Sequence, residues 1–451
     1  MTTATSPHAA GTFPHGVHPA DEKQYAENAA IEVLPTPKLV TIPLVQHLGA
    51  PAEAVVKTKQ DVQMGEQIGK PAGFISAAVH ASISGKVGMG CSVTMPNGRR
   101  VQAVPITAAE TQPLAGVDLL DDVLGGDWPK DASQYEPKAI ADAAGAAGIV
   151  GLGGAAFPSH VKLVRNAQKP IDTLLLNGCE CEPYLTADYR LMLEYPAAVV
   201  CGALLAARAN GAGRIVIVIE DNKPQAVEAM KKAAARTNIE VAVVHTKYPQ
   251  GGERQAIYAI TGRAVPTGGL PLDVGVVVVN VGTAAAIARA VVRGKPLTHR
   301  VITVTGPGIV RPANVLAPIG VTYGELIAHC GGLKPEAARV IAGGPMMGFS
   351  LGELDTPVTK GTSGVTVLTA REIDKAEQTT CLRCGRCVDA CPLNLVPSKL
   401  GVAARSQDWD LARKYHMMAC IECGCCSFAC PASIPLTQLI RTGKTKLPRK
   451  K

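Results

Sequence analysis

Near the C-terminus, residues 381–392 read C-L-R-C-G-R-C-V-D-A-C-P and residues 420–431 read C-I-E-C-G-C-C-S-F-A-C-P. Both runs space four cysteines as C-x2-C-x2-C-x3-C before a proline. That is the thiolate spacing of cubane iron–sulfur sites, in which the fourth cysteine of each run ligates the other cluster. One 4Fe-4S cluster is therefore expected on Cys381, Cys384, Cys387 and Cys430, and a second on Cys420, Cys423, Cys426 and Cys391. The short spacings turn three thiolates of a loop toward one face, and Pro392 and Pro431 stop the chain from continuing directly as a helix. Zinc knuckles are the competing reading, since soft thiolates suit both metals. Two complete four-cysteine runs would leave zinc sites overlapped. Cys425 has no place in the pattern and reads as a small apolar filler.

A second constellation starts at residues 148–162, G-I-V-G-L-G-G-A-A-F-P-S-H-V-K. Glycines ahead of a helix let backbone N–H groups turn toward one point, and the helix N-terminus adds partial positive charge, so phosphate is the natural guest. A plain glycine-rich turn is the alternative. Residues 171–176 read as a buried strand that ends in N-G-C-E-C-E-P-Y, residues 177–184. Polar groups just past the C-terminal end of a strand are where open α/β sheets bind ligands. Residues 214–220 (RIVIVIE) and 239–246 (IEVAVVHT) read as further parallel strands around a helix at 223–236. They lead to Tyr248-Pro-Gln-Gly-Gly-Glu253-Arg254, and a strand at 274–281 delivers Asn280 and Thr283. This alternation predicts an α/β nucleotide-binding domain over 137–296.

Other elements must hold these two constellations. Residues 1–34, punctuated by prolines, read as a flexible arm leading into an extended segment. Short β-like runs with glycine turns fill 35–110, and this stretch resembles the biotinyl/lipoyl-type barrel-sandwich module. It has no lysine where a prosthetic group would attach, and His80 and Ser82 read as turn residues. Residues 111–136 read as a linker. Residues 297–345, with an alternating strand RVITVTG and a helix from Thr322 to Cys330, resemble a soluble-ligand-binding β-grasp unit. Residues 346–375 read as a linker, 376–440 as the ferredoxin-type helical module, and 441–451 as a solvated basic tail.

At 451 residues the chain is long enough for three or four domains. Aromatics are only 4%, while glycine and alanine abound, which points to close backbone packing rather than bulky cores. Net charge is +8, with no basic patch interleaved with aromatics, so nucleic acid is not an expected partner. No apolar run reaches the length of a membrane span, and the N-terminal residues have no secretion-signal pattern. A cytoplasmic protein with reduced thiols is expected.

The loops GLGGAAFPSHVKL, NGCECEPYLTADYRLM, YPQGGERQAIYAITGR and VNVGTAAAIARAV resemble the flavin and NADH site of the respiratory complex I flavoprotein subunit. Together with the barrel-sandwich segment, the β-grasp unit and the tandem cysteine runs, residues 11–440 resemble the RnfC family of Rnf ion-translocating oxidoreductase complexes. The resemblance implies a peripheral electron-transfer protein on the cytoplasmic face of the inner membrane. It would exchange electrons between NAD(H) and the two clusters through FMN, with ferredoxin as redox partner of the complex and with membrane and peripheral Rnf proteins as its neighbours. It further implies that Gly151, Gly153, Gly154 and Lys162 hold the flavin and its phosphate. Asn177 and Glu180 would approach the ring and ribityl side, and Asn280 and Thr283 the phosphate end. Phe157 would stack on the nicotinamide nucleotide, helped by Glu182, Tyr248 and Glu253. Ala156 stands where complex I flavoproteins carry a glycine, Cys179 where they carry an acid, and Gly252 where they carry a glutamate.

Two other readings remain at this point. One is a flavin/iron–sulfur cobalamin reductase of a microcompartment, against which the segment FPHGVHPADEK weighs. The other is a wiring or docking protein with clusters and no bound nucleotide, against which the joint presence of Glu182, Tyr248 and Glu253 weighs.

Overall fold

The architecture comes from a computed structural model, which describes residues 11–373 and 376–448. The tail residues Arg449, Lys450 and Lys451 and the first ten residues of the arm lie outside the described residues.

Residues 39–108 form two small antiparallel sheets, one of five strands and one of three. Their alternating residues meet inside: Val40, Ile42, Ile68, Val79 and Ile106 are all buried, as period-two patterning requires. Ser82 lies in a bend, as expected. It is buried, and its hydroxyl donates to Ile319 O at 2.6 Å, docking this domain on the β-grasp unit. His80 is likewise buried, in the short strand Val79–His80.

The α/β domain has a four-stranded parallel sheet in the order Ile239–Val244, Arg214–Glu220, Thr173–Asn177, Val276–Asn280. The two central strands are buried apolar runs because helices cover both faces. In the register Asn177 lies opposite Asn280, so both ends open on the same crevice. Pro196–Asn210 and Val281–Arg293 cross at backbone contact, where a Cβ on Gly202 would stand 1.8 Å from Ala284 O. Small residues rather than aromatics therefore make this core.

The β-grasp unit is larger than its sequence pattern suggested. Residues 346–375, expected to link, supply Phe349–Ser350 and Gly364–Thr369, and the latter pairs between His299–Thr305 and Ala337–Ala342. From the arm, Ile31–Val33 adds a parallel edge strand beside Ala313–Pro318. The expected linker 111–136 also has structure. Its helix Gly116–Val123 is followed by Trp128, over which Arg293 lies at 4.0 Å, and Arg289 pairs with Asp122 at 2.5 Å. Each of these segments is ordered by surfaces distant in sequence, which local patterning does not record. The buried Lys360 ammonium joins three units by donating to Ala78 O at 2.5 Å and Gly148 O at 2.7 Å.

The cysteine module is two short-helix repeats bound together by Pro397–Ser406 against Leu436–Lys446. That last helix runs into the expected tail. Arg441 and Lys444 are not solvated: both bind the Glu422 carboxylate, and Arg441 also donates to Met347 O at 2.7 Å. Among the described residues no single helix is long and apolar enough to cross a membrane.

Candidate functional site

The glycine-rich loop turns back on itself, Gly151 N donating to Phe157 O at 2.8 Å. Leu152 N donates to the Thr283 hydroxyl at 2.9 Å, which ties the loop to the start of the helix Val281–Arg293. Gly153 lies against Asn280, where a Cβ would stand 2.7 Å from Nδ2. Gly153, Gly154 and Ala155 are exposed, and among the described residues their amides donate to no protein acceptor. Ala156 follows at φ 52°, the left-handed region that glycine occupies without strain. A run of free amides beside a helix N-terminus has the geometry of an anion cradle.

The side chains expected around it converge, and most are bound to one another. Asn280 Oδ1 caps Gly282 N and Thr283 N at 2.9 and 3.2 Å, and its amide donates to Asp188 Oδ2 at 2.6 Å. Lys162 Nζ pairs with Glu253 at 2.7 Å and reaches Val278 O at 3.1 Å. Asn177 donates to Gly251 O at 2.7 Å. Glu180 accepts from Asp188 N and Tyr189 N at 2.7 and 3.0 Å, so its carboxylate caps the helix Ala187–Glu194. Phe157 is half-buried at the loop's end.

The acidic loop is strained and then clamped. Glu180 has φ 48° and Tyr184 φ 71°, conformations that cost on the order of 1–3 kcal/mol each and persist only where surroundings impose them. The clamp is Lys23, a buried residue of the arm whose ammonium donates to Glu180 O, Glu182 O and Leu185 O at 2.7, 2.9 and 2.5 Å. Burial holds this ammonium below its ordinary pKa, partly opposed by Glu180.

Glu182 and Tyr248 face the cysteine module. Glu182 Oε1 accepts from Met346 N and Met347 N at 2.7 and 3.0 Å, and burial pushes this carboxyl up. Tyr248 was expected beside the nicotinamide. It is buried, 1% exposed, and its hydroxyl donates to Cys423 O at 2.7 Å.

Comparisons with known proteins reach each domain of this architecture. Four family models match: the RnfC barrel sandwich hybrid domain over 11–111, the Nuo51 FMN-binding domain over 145–289, the SLBB domain over 301–350 and the 4Fe-4S dicluster domain over 373–432. The chain is 45% identical to the C component of the proton-translocating ferredoxin:NAD(+) oxidoreductase complex of Clostridium ljungdahlii, covering 95% of this chain and 93% of that one. The chain belongs to the RnfC family. Two further members are similar at 43% identity (the C component of the Na(+)-translocating complex of Acetobacterium woodii, 97% of each chain) and 44% (the C component of the ion-translocating complex of Rhodobacter capsulatus, 96% of this chain and 82% of that one). A crystal structure of NAD+-reducing NiFe hydrogenase in the H2-reduced state is similar over 69% of this chain and 62% of that one, at 22% identity and a TM-score of 0.49.

In this RnfC-family chain Cys391, Cys420, Cys423 and Cys426 lie near one another, and Cys387 lies near both Cys430 and Cys391. Burial pushes the Cys420 and Cys426 thiols up, to about 11 and about 12, and Cys423 and Cys391 push both further. Cys387 is raised by burial and by its neighbour Cys430. The fourth cysteine of each run thus lies near the thiols of the other run. Cys381 and Cys384 are exposed. Glu422 N and Leu395 N point at Cys420 Sγ and Cys391 Sγ at 3.3 and 3.4 Å, the kind of N–H···S contact that tunes cluster potentials.

Three residues of this RnfC-family site escaped the sequence reading. Lys23 sits in a proline-rich arm with no local signal. Asp188 lay within the quoted acidic loop but was given no role. Arg300 was hidden in an alternating strand; it is buried and donates to Leu152 O and Thr362 O at 3.0 and 3.2 Å.

Proposed function

We propose that this chain is the NAD(H)-reacting member of a membrane-associated Rnf-type complex, peripheral on its cytoplasmic face. It exchanges electrons between NAD(H) and ferredoxin-linked partners by way of FMN and two 4Fe-4S clusters, and other members of the complex couple the transfer to ion movement. The observation that carries the reading is the hydrogen bond from Tyr248 to Cys423 O at 2.7 Å. It seats the loop that carries Cys423 directly on the α/β domain's segment Tyr248-Pro-Gln-Gly-Gly-Glu253, so the two sites share a wall.

The residues present fit FMN: free amides at Gly153 and Gly154 and the Lys162 ammonium suit its phosphate. Asn280 and Thr283 are occupied in building this cradle, and their part is to hold the loop against the helix start. Asn177 and Glu180 border the ring side. Phe157, Glu182 and Glu253 border the nicotinamide side. The chemistry FMN supplies when bound is exchange between an electron pair and single electrons. The crossed thiol neighbourhoods fit one cluster on Cys420, Cys423, Cys426 and Cys391, next to the nucleotide site. The other, on Cys381, Cys384, Cys387 and Cys430, approaches the surface where Cys381 and Cys384 are exposed and serves the partner.

The test is anaerobic purification, assay of iron, sulfide and released flavin, and visible spectra before and after NADH. Bleaching of both flavin and cluster absorbance is expected. Clusters that stay oxidised, with no flavin retained after reconstitution, would make this a wiring protein instead.

A further inference from the structure

Residues 248–255 of the α/β domain reach both cysteine runs. The Tyr248 hydroxyl donates to Cys423 O at 2.7 Å in the second run, and Gln255 Nε2 donates to Pro392 O at 3.2 Å, directly after Cys391 in the first. Pro392 is buried and offers a carbonyl but no N–H. Among the described residues no other hydrogen bond reaches that carbonyl, so the chain after Cys391 is tied here by a donor from another domain. Gln255 is 3% exposed, and its side-chain oxygen has no partner. A buried orphan acceptor costs free energy, yet the carboxamide cannot turn over, because the Pro392 carbonyl needs its nitrogen end.

The same carboxamide accounts for Gly252, which stands where complex I flavoproteins carry a glutamate. Gly252 has φ −63° and ψ 133°, an extended conformation open to any residue, so its backbone does not call for glycine. Space does. A Cβ there would stand 2.3 Å from Gln255 Oε1 and 3.0 Å from Pro249 O. A side chain at 252 would push the Gln255 carboxamide off the cysteine module.

We propose that Gly252 and Gln255 act as a pair that seats the Cys391 loop: the absent side chain at 252 makes room for the carboxamide, and Gln255 is a positioning residue for the cluster on Cys391, Cys420, Cys423 and Cys426. With Tyr248 it fastens one residue from each run, so this crossed ligand set closes against the α/β domain. The donor also turns the positive end of its dipole toward the cluster loop, which favours an added electron, since hydrogen bonds and local charge set cluster potentials. The pairing rests on the crossed assignment of the cysteines and is independent of the nucleotide reading.

The experiment is a redox titration of the full chain with both clusters in place, read by electron paramagnetic resonance, with the signals assigned by Cys391→Ser and Cys420→Ser. Iron loss to a chelator is followed on the same samples. Gln255→Met keeps the length of the side chain and loses the donor. It should lower the potential of the Cys391-ligated cluster by on the order of 59 mV, a tenfold change for one electron, and hasten that cluster's iron loss while the other cluster is unmoved. Gly252→Ala should act in the same direction on the same cluster, and should add little in a Gln255→Ala protein, where the carboxamide it displaces is gone. A variant that keeps only the other cluster supports the pairing. Unmoved potential and iron loss in Gln255→Met, equal disturbance of both clusters, or a Gly252→Ala effect undiminished in the Gln255→Ala protein would overturn it. Cys391→Ser and Cys420→Ser acting on different signals would instead take down the crossed assignment on which it rests.

Discussion

Asn280 ends the strand Val276–Asn280 and donates to Asp188 Oδ2 at 2.6 Å while its own oxygen caps the following helix. One side chain thus links the glycine-rich loop, the helix start and the acidic loop. Asp188 is pushed up to about 7, by burial first and by Glu180 second, with Arg300 opposing.

That shift fixes a pH dependence. A carboxyl raised in the folded state is protonated there while the unfolded chain is already losing its proton, so its stabilising contribution is complete below about pH 3.8 and is lost as pH rises through about 7. Asp188→Asn should flatten the fall in melting temperature between pH 5 and 8, a difference of about 1–3 kcal/mol. Identical slopes in both proteins would show that Asp188 titrates normally.

Gly153 and Gly154 separate packing from binding. Gly153→Ala must displace Asn280 and should cost about 1–3 kcal/mol of stability and at least tenfold in FMN affinity. At Gly154 a Cβ meets nothing within 4 Å, so Gly154→Ala should melt as the unsubstituted protein does. Equal melting losses in the two variants would discount the geometry of the loop.

Lys23→Met would leave three carbonyls of a strained loop without their donor. A loss of about 2–4 kcal/mol is expected, along with failure of NADH to reduce the protein even where flavin is retained. Normal NADH reduction would remove Lys23 from the site. By contrast Lys162, paired with Glu253 where both are about a third exposed, should cost under about 1 kcal/mol of stability on Lys162→Met and show its effect in FMN retention.

The crossed ligation is directly testable. Cys391→Ser should perturb the paramagnetic signal that Cys420→Ser perturbs, and Cys430→Ser the one that Cys384→Ser perturbs. Cys425→Ser should leave iron and sulfide content unchanged. Cys391→Ser acting on the Cys384 signal would mean that each run ligates its own cluster.

Much of this protein is legible in local sequence. Thiolate chemistry needs only the spacing of Cys381 to Cys391 and Cys420 to Cys430, because a short loop carries three ligands by itself. The parallel sheet is likewise announced by RIVIVIE and VVVVN, since strands buried on both faces must be apolar throughout. What the tertiary structure decided is how these units meet. Lys23 acquires its three acceptors, Gly364–Thr369 its place in a sheet, Arg441 and Lys444 their shared Glu422, and Tyr248 its cysteine neighbour only when segments 19 to 175 residues apart come together. Hydrogen bonds and burial depend on neighbours in space, and nothing in the local pattern around Tyr248 records that its hydroxyl donates to the loop that carries Cys423.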